Sequence, residues 1–366
     1  DFCLSRGLGD VYKRQVYNLA TEQSRAGFSV RVWGISASTE HDYPTRNFKT
    51  VLFKKKKSSF ALPLGIEQAI KETSPETVFH LHGGFIPVFY SISRLLKKHN
   101  RKFIFTPHGS YNRIAWRKSK FSKIVYFNLF EQFMLKRASV VHVLGKSESD
   151  GLNYLLKGLT IQRVPYGFEL GESFPSINPS NQSDYLIGFC GRIDVYTKGL
   201  DVLIDSFSKF CRENTQVILW IIGDGPERIA LEKHVASLGI SDRVVFFGSK
   251  YGQEKDELLA QLNLFVHPSR NEGLPTAVLE AASFGVPCLV SEATNLGDEI
   301  RNANAGVVIS NTNTDEMLQG LREAYLNFNQ RSPEEIKISS RSMVADFFNW
   351  NVILRDFNSI YQRAIA

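Results

Sequence analysis

Short apolar runs rich in Val, Ile, Leu and Phe alternate along this chain with stretches of helical period, and the runs stop at turn residues. VYNLATEQSRAGFSVRVWGIS, residues 16–36, reads as a helix stopped at Gly27 and followed by a strand. ETVFHLHGG (76–84) and KFIFTPHGS (102–110) are strands ending in turns, and ASVVHVLGKSESDGL (138–152) is a strand leading into a helix cap. Strand, turn and helix in repeated order predict a parallel α/β domain, whose loops after the strands form a ligand crevice.

VPYGFEL (164–170) gives way to GESFPSINPSNQSD (171–184), a Pro-, Ser- and Asn-rich interval suited to a linker. YLIGFCGR (185–192), VILWIIGDGP (217–226), VVFFGS (244–249), LNLFVHPS (262–269), VPCLVS (286–291) and GVVIS (306–310) form a second strand series. GLDVLIDSFSKFCREN and PERIALEKHVASLGI supply helical periodicity between them. The pattern predicts two parallel-sheet α/β domains, 1–170 and 185–345, joined by a linker at 171–184, with open sheets facing a central cleft. FFNWNVILRDFNSIYQRAI (347–365) predicts one amphipathic helix, within a C-terminal segment 346–366, that packs back across the domains.

At 366 residues and 43% hydrophobic content, the chain has enough apolar surface for two cores. Cys3, Cys190, Cys211 and Cys288 are scattered, with no CxxC or His/Cys grouping, which argues against a disulfide scaffold or structural zinc and for a reducing cytoplasm. No apolar stretch approaches a bilayer-spanning helix, and the start DFCLSRGLGDVYKRQ has neither an initiating Met nor a signal-peptide core. Charge is unevenly spread: residues 1–170 hold 27 Lys/Arg against 12 Asp/Glu, and residues 171–366 hold 17 against 25. KKKK at 54–57 and RIAWRKSKFSKIVYF at 113–127 concentrate the excess. An anionic membrane, a polyanionic substrate, nucleic acid or a solvated lysine-rich face each fits that charge.

NEGLPTAVLE (271–280) places Glu272 and Glu280 eight positions apart around a turn and a helix start. On one helix they would lie about 12 Å apart along the axis, and Glu272 is expected to precede the helix. Such spacing suits contacts to two sections of one elongated ligand better than an acid and a base on one bond. Helix capping with a surface charge is the plainer alternative.

TPHGS (106–110), GKSESDG (145–151), VPYG (164–167), GRIDVYTKGLDVLIDSF (191–207), IIGDGPE (221–227) and HPSRNEGLPTAVLEAASFGVPCLVSE (267–292), in this order and spacing, resemble the GT-B, family-4-like retaining glycosyltransferases. The likeness runs from about residue 16 to the C terminus. It implies a GT-B fold of two Rossmann-like domains, with an acceptor bound mainly by the first and a nucleotide diphosphate sugar, UDP- or GDP-linked, mainly by the second.

By that resemblance Glu272 lies near the transferred sugar and Glu280 bonds ribose hydroxyls. Arg192 and Lys198 match the positions whose cations stabilise the departing diphosphate. Gly191 and Gly199 permit close backbone approach, and the helix beginning near Thr276 directs N–H groups toward phosphate. Gly223 and Gly225 shape a tight turn beneath the nucleotide; Gly248, Ser249 and Lys250 are expected near the base, and Arg270, Gly273, Leu274 and Pro275 near diphosphate and sugar. His108 is expected to contact the transferred sugar, through its main-chain carbonyl or at a ring hydroxyl, for binding or transition-state alignment. His80, His82 and His142 are expected to be structural or acceptor-side, while Ser147 and Glu148 either support the site or cap a helix. GLP after Glu272 departs from the commoner GFG, and the N terminus departs further, its first strand missing or replaced.

No metal-binding DxD stands in the expected diphosphate site, so neither a metal nor a cofactor is expected. The implied acceptor is a glycan or lipid-linked intermediate of the cell envelope or exopolysaccharide, and the implied location is cytoplasmic, with peripheral contact to an anionic inner membrane. Nucleic acid is not an expected partner on this reading. Three alternatives are nonenzymatic nucleic-acid binding through the basic half, nucleotide-sugar epimerisation, and NAD-dependent redox chemistry; GDG lacks the full GxGxxG pattern of the last.

Overall fold

The computed structural model describes residues 10–40, 43–111, 120–171 and 184–365. The GLG at 7–9 of the atypical N terminus, most of the linker and residues 113–119 of the basic run therefore lie outside the described residues. The chain divides into two compact units, Asp1–Gly167 with Trp350–Ala366, and Phe168–Asn349.

The first unit runs α1 (Asp10–Arg25), β1 (Arg31–Ser36), β2 (Lys49–Lys54), α2 (Ile66–Lys71), β3 (Phe79–His82), α3 (Pro87–Lys98) and β4 (Phe103–Thr106). Then come α4 (Lys120–Tyr126), a π-helical turn (Phe127–Glu131), α5 (Gln132–Leu135), β5 (Val140–Val143), α6 (Lys146–Leu155) and β6 (Ile161–Arg163). β3, β4, β5 and β6 pair in parallel and in sequence order. Every residue of β3, β4 and β5 is buried, as parallel strands covered on both faces must be. One consequence governs the chemistry of this unit: His80, His82, Thr106 and His142 alternate with the apolar residues and are buried with them, so they need partners. Among the described residues β1 pairs only with β2, although Trp33 and Ile35 share the core of Phe79, Phe105 and Val141.

The second unit runs β7 (Tyr185–Cys190), α7 (Val195–Lys198), α8 (Leu200–Glu213), β8 (Val217–Ile222), α9 (Arg228–Ser237), β9 (Val244–Gly248) and α10 (Gly252–Ala260). It continues through β10 (Leu264–His267), α11 (Thr276–Ser283), β11 (Cys288–Ser291), α12 (Gly297–Asn302), β12 (Gly306–Ile309), α13 (Thr314–Asn329) and α14 (Pro333–Phe348). Its strands are ordered β12-β11-β10-β7-β8-β9, all parallel. The order reverses between β7 and β10, and beyond the carboxyl ends of those two strands such a sheet opens a crevice for a ligand.

The single helix expected over 347–365 is corrected by the structure. α14 ends at Phe348, Asn349 is extended at φ −60° and ψ 137°, and a new helix (Trp350–Ile365) belongs to the first unit. Gly167, the last residue of VPYG, passes Trp350 where an added Cβ would lie 2.3 Å from the indole, so only glycine fits there.

Candidate active site

Three glycine turns build the floor of the second unit's strand ends. The Gly191 N–H donates to Ile222 O (2.9 Å), Ile193 N–H to Asp224 O (2.9 Å) and Gly223 N–H to Gly248 O (2.8 Å), so the loops after β7, β8 and β9 lie backbone on backbone. A Cβ on Gly223 would sit 1.9 Å from Gly191 O, and one on Gly225 2.2 Å from Ile193 O. No side chain could enter without parting these loops.

Glu272 lies in the loop between β10 and α11, before the N-cap Pro275, and its carboxylate is the most heavily engaged group of the site. Lys198 Nζ, His267 Nε2 (2.9 Å) and Ser269 Oγ (3.0 Å) all meet its Oε1. The backbone around it is pinned as well: Asn295 Nδ2 donates to the carbonyls of Glu272 and Gly273, each at 3.0 Å. Burial would raise the Glu272 carboxyl, but the donors, His267 foremost, hold it down at about 2, so it is ionised at any working pH. Gly199 at the end of α7 lets Lys198 reach this position, since a Cβ there would meet Pro268 O at 2.2 Å.

The other expected residues fall into separate pairs. Arg192 extends into solvent, 70% exposed, and pairs with Asp194 at 3.1 Å rather than with Glu272. Glu280, on α11, pairs with Lys255 of α10 at 2.8 Å, and its charge adds to burial in pushing the Cys190 thiol at the end of β7 up to about 12. Arg270 is committed elsewhere: it holds both carboxylate oxygens of Asp201 at 2.8 and 2.9 Å and covers the Tyr196 ring. Lys250 pairs with Glu254 at 3.4 Å beside Ser249. Leu274 is buried, and Thr276 begins α11. Lys255, His267, Ser269, Asn295 and Asp201 were absent from the expected set. The only sequence signal for them is the HPSRNE run, which puts His267 and Ser269 five and three residues before Glu272. Among the described residues, no three His, Cys, Asp or Glu side chains are grouped to hold a metal ion.

In the first unit the histidines form an ordered chain. His142 Nε2 lies 2.7 Å from Val164 O, and a carbonyl only accepts, so Nε2 carries the proton. Nδ1 then accepts from Thr106 Oγ1 (2.7 Å), Thr106 accepts from His80 Nε2 (2.6 Å), His80 Nδ1 accepts from Tyr361 (3.2 Å), and Tyr361 accepts from Gln23 Nε2 (2.8 Å). This direction requires neutral rings, and burial supplies them: it pushes His142 down to about 4 and His80 well below its ordinary range. His82 Nδ1 lies 3.2 Å from His108 Nε2, and the His108 ring stacks on Tyr166 at 5.9 Å. His108 itself is buried and adopts φ +53°, a strained left-handed conformation for a residue with a side chain.

Two buried carboxyls flank the loop that carries His108. Glu131 Oε1 accepts from Phe85 N–H (2.9 Å) and Tyr111 Oη (2.6 Å), and burial raises it to about 7. Glu148 faces the N–H groups of Gly109, Tyr111, Leu144 and Ser110, yet burial dominates and raises it to about 8. The helix-capping reading of Ser147 and Glu148 is corrected: the N-cap of α6 is Gly145, without a side-chain cap, and Glu148 points inward.

The family model described as "Glycosyltransferase Family 4" matches residues 13–155, and "Glycosyl transferases group 1" matches residues 172–340. A phosphatidylinositol N-acetylglucosaminyltransferase subunit of Arabidopsis thaliana is 24% identical over 305 residues, 82% of this chain and 65% of that protein. A Methanocaldococcus jannaschii glycosyltransferase is 28% identical over 49% of this chain and 45% of its own length, so the chain spans less than two thirds of these curated relatives. Among solved structures, the lipopolysaccharide outer core galactosyltransferase WaaB superposes with a TM-score of 0.73 at 16% identity, over 99% of both chains. Anabaena HepE in complex with UDP gives 0.73 at 15%, over 99% of this chain and 98% of that one. Two Rossmann-like units, the two family models and these superpositions agree: the chain has the GT-B fold and belongs with the glycosyltransferases related to group 1 and family 4.

Proposed function

We propose that this chain transfers a hexose-type sugar from a nucleotide diphosphate donor, UDP- or GDP-linked, to a glycan or lipid-linked acceptor, with retained anomeric configuration. The observation that carries this reading is the convergence of Lys198, His267 and Ser269 on Glu272 beyond the reversal between β7 and β10. HepE, described as a complex with UDP, supports a UDP donor.

Breaking the bond from anomeric carbon to phosphate leaves negative charge on the diphosphate and positive charge on the sugar ring. Lys198 and the exposed Arg192 meet the first charge, and the ionised Glu272 faces the second. Protein cations thereby do the work that a metal ion would otherwise do. Glu280, steadied by Lys255, takes the ribose hydroxyls. The acceptor oxygen bonds the anomeric carbon on the face the diphosphate leaves, and its proton passes to the departing phosphate oxygen. In the first unit Nε2 of His108 faces His82 and its ring stacks on Tyr166, which favours a contact to sugar through its main chain.

For the acceptor, a membrane-borne cell-envelope or exopolysaccharide intermediate reached from the cytoplasmic face is supported by the helix spanning 120–135. Phe121, Val125, Leu129 and Phe133 recur on it every four residues and are 83%, 41%, 56% and 43% exposed. Residues 113–137 hold seven Lys/Arg and one acid, Glu131, which is buried. Exposed apolar side chains in a stretch rich in Lys and Arg suit an anionic bilayer surface. Cosedimentation with vesicles that depends on anionic lipid and weakens with salt is the expected result; equal partitioning without anionic lipid would remove membrane contact.

Retention is tested by proton NMR of freshly formed product, in which the donor's anomeric configuration should persist before any mutarotation. An inverted product would discard the mechanism. Unchanged turnover in both Arg192→Ala and Lys198→Ala would discard the leaving-group assignment.

A further inference from the structure

We infer that His267 is a positioning residue for sugar transfer: its ring N–H and the Ser269 hydroxyl hold the Glu272 carboxylate in place when Lys198 turns to the donor diphosphate. This rests on the reading of the second unit as the donor-binding unit.

The argument starts from the three donors that share Oε1 of Glu272. They differ in what else they can do. Lys198 is a compact charge on a flexible stem at the end of a one-turn helix, and the reaction asks it to meet phosphate. A carboxylate held by that lysine alone would lose its anchor as the donor engaged. His267 cannot move in the same way. It is the last residue of β10, 1% exposed, with its ring stacked against Phe189 (5.4 Å) and Phe265 (6.1 Å). Ser269 is fixed through its carbonyl, which accepts from Ser291 Oγ at 2.5 Å and Thr312 Oγ1 at 3.4 Å.

The protonation of the ring fits this task. Burial is the largest influence on His267 and lowers its pKa, so the ring is neutral with one N–H, and the contact to an acceptor-only carboxylate puts that N–H on Nε2. Nδ1 has no hydrogen-bond partner among the described residues. A neutral donor orients Glu272 without cancelling its charge. Once Lys198 faces the diphosphate, the carboxylate can oppose the positive charge developing on the sugar, which a protonated histidine would not allow.

The test compares wild type, His267→Leu and His267→Gln; the Gln amide can replace the Nε2 donor. Donor turnover and UDP or GDP binding by calorimetry are measured together, with thermal melting as the control for folding. His267→Leu is expected to lower kcat about 100-fold, with nucleoside diphosphate affinity changed by less than about threefold, and His267→Gln to recover most of the loss. Carbon-13 NMR should show the Glu272 carboxyl, held at about 2 in wild type, rising in His267→Leu and staying low in His267→Gln. Equal kcat in all three proteins, or a loss that follows melting temperature and is not rescued by Gln, would overturn the inference. Wild type that neither binds nor turns over any nucleotide sugar would instead overturn the proposed reaction, and the role in transfer with it.

Discussion

The ammonium of Lys198 rests on the carboxylate of Glu272, 74 residues further along the chain, and the two side chains are only 21% and 14% exposed. Removing the lysine leaves a largely buried charge held by neutral donors. Lys198→Ala should cost about 1–3 kcal/mol in urea unfolding and lower donor turnover about 100- to 1,000-fold. Glu272→Gln should match the loss of turnover at a smaller cost in stability, because no unpaired charge stays behind.

Arg192 gives the opposite balance. It is exposed and, among the described residues, tied only to Asp194, so Arg192→Ala should change unfolding free energy by less than about 0.5 kcal/mol while still lowering kcat. Equal turnover in the variant and wild type would remove Arg192 from the leaving-group role.

The glycine turns make a packing prediction. Gly223→Ala forces a Cβ to within 1.9 Å of Gly191 O and should destabilise the second unit by about 3 kcal/mol. Gly239→Ala meets nothing within 4 Å and bears only the left-handed penalty of φ +70°, about 1 kcal/mol. Urea midpoints of the two variants in the intact chain give the comparison.

The parallel strands and the helix start at Thr276 were legible because continuous apolar runs bounded by Gly, Pro and Ser leave few other folds. Glu272 and Lys198 were legible as members of one site through their motifs. Their direct pairing was not, since it depends on where the reversal between β7 and β10 brings two loops. Arg270 illustrates the limit: the resemblance set it near diphosphate and sugar, but its hold on both carboxylate oxygens of Asp201, 69 residues away, had no sequence signal. The histidine chain was half visible. His80 and His82 alternate on a strand, but Thr106, Val164 and Tyr361 arrive from elements far away in sequence.

Buried neutral histidines set an acid limit. Folding holds His142 at about 4 and His108 at about 3, against an unfolded value of 6.5, so the unfolded chain binds more protons in between. Their stabilisation is fully present above pH 6.5 and is lost progressively as pH falls from there to about 4 for His142 and about 3 for His108. Relative to a His142→Gln variant, wild type should therefore lose urea unfolding free energy between pH 7 and pH 5, and an identical difference at both pH values would contradict the neutral chain.

Glu148 carries the reverse sign. Its pKa is raised from 4.5 to about 8, so the folded chain binds the extra proton and this residue costs stability progressively as pH climbs through that interval. Glu148→Gln should gain stability relative to wild type at pH 8 compared with pH 5. An identical difference at both pH values would show that the carboxyl ionises freely.

Mass spectrometry of the intact chain incubated with pooled UDP-, GDP- and ADP-sugars and an envelope extract tests the central claim most directly. The account predicts one glycosylated product and an equimolar nucleoside diphosphate, both lost in Lys198→Ala. Folded wild-type protein that yields neither, or a Lys198→Ala variant that yields both at the wild-type rate, would contradict it.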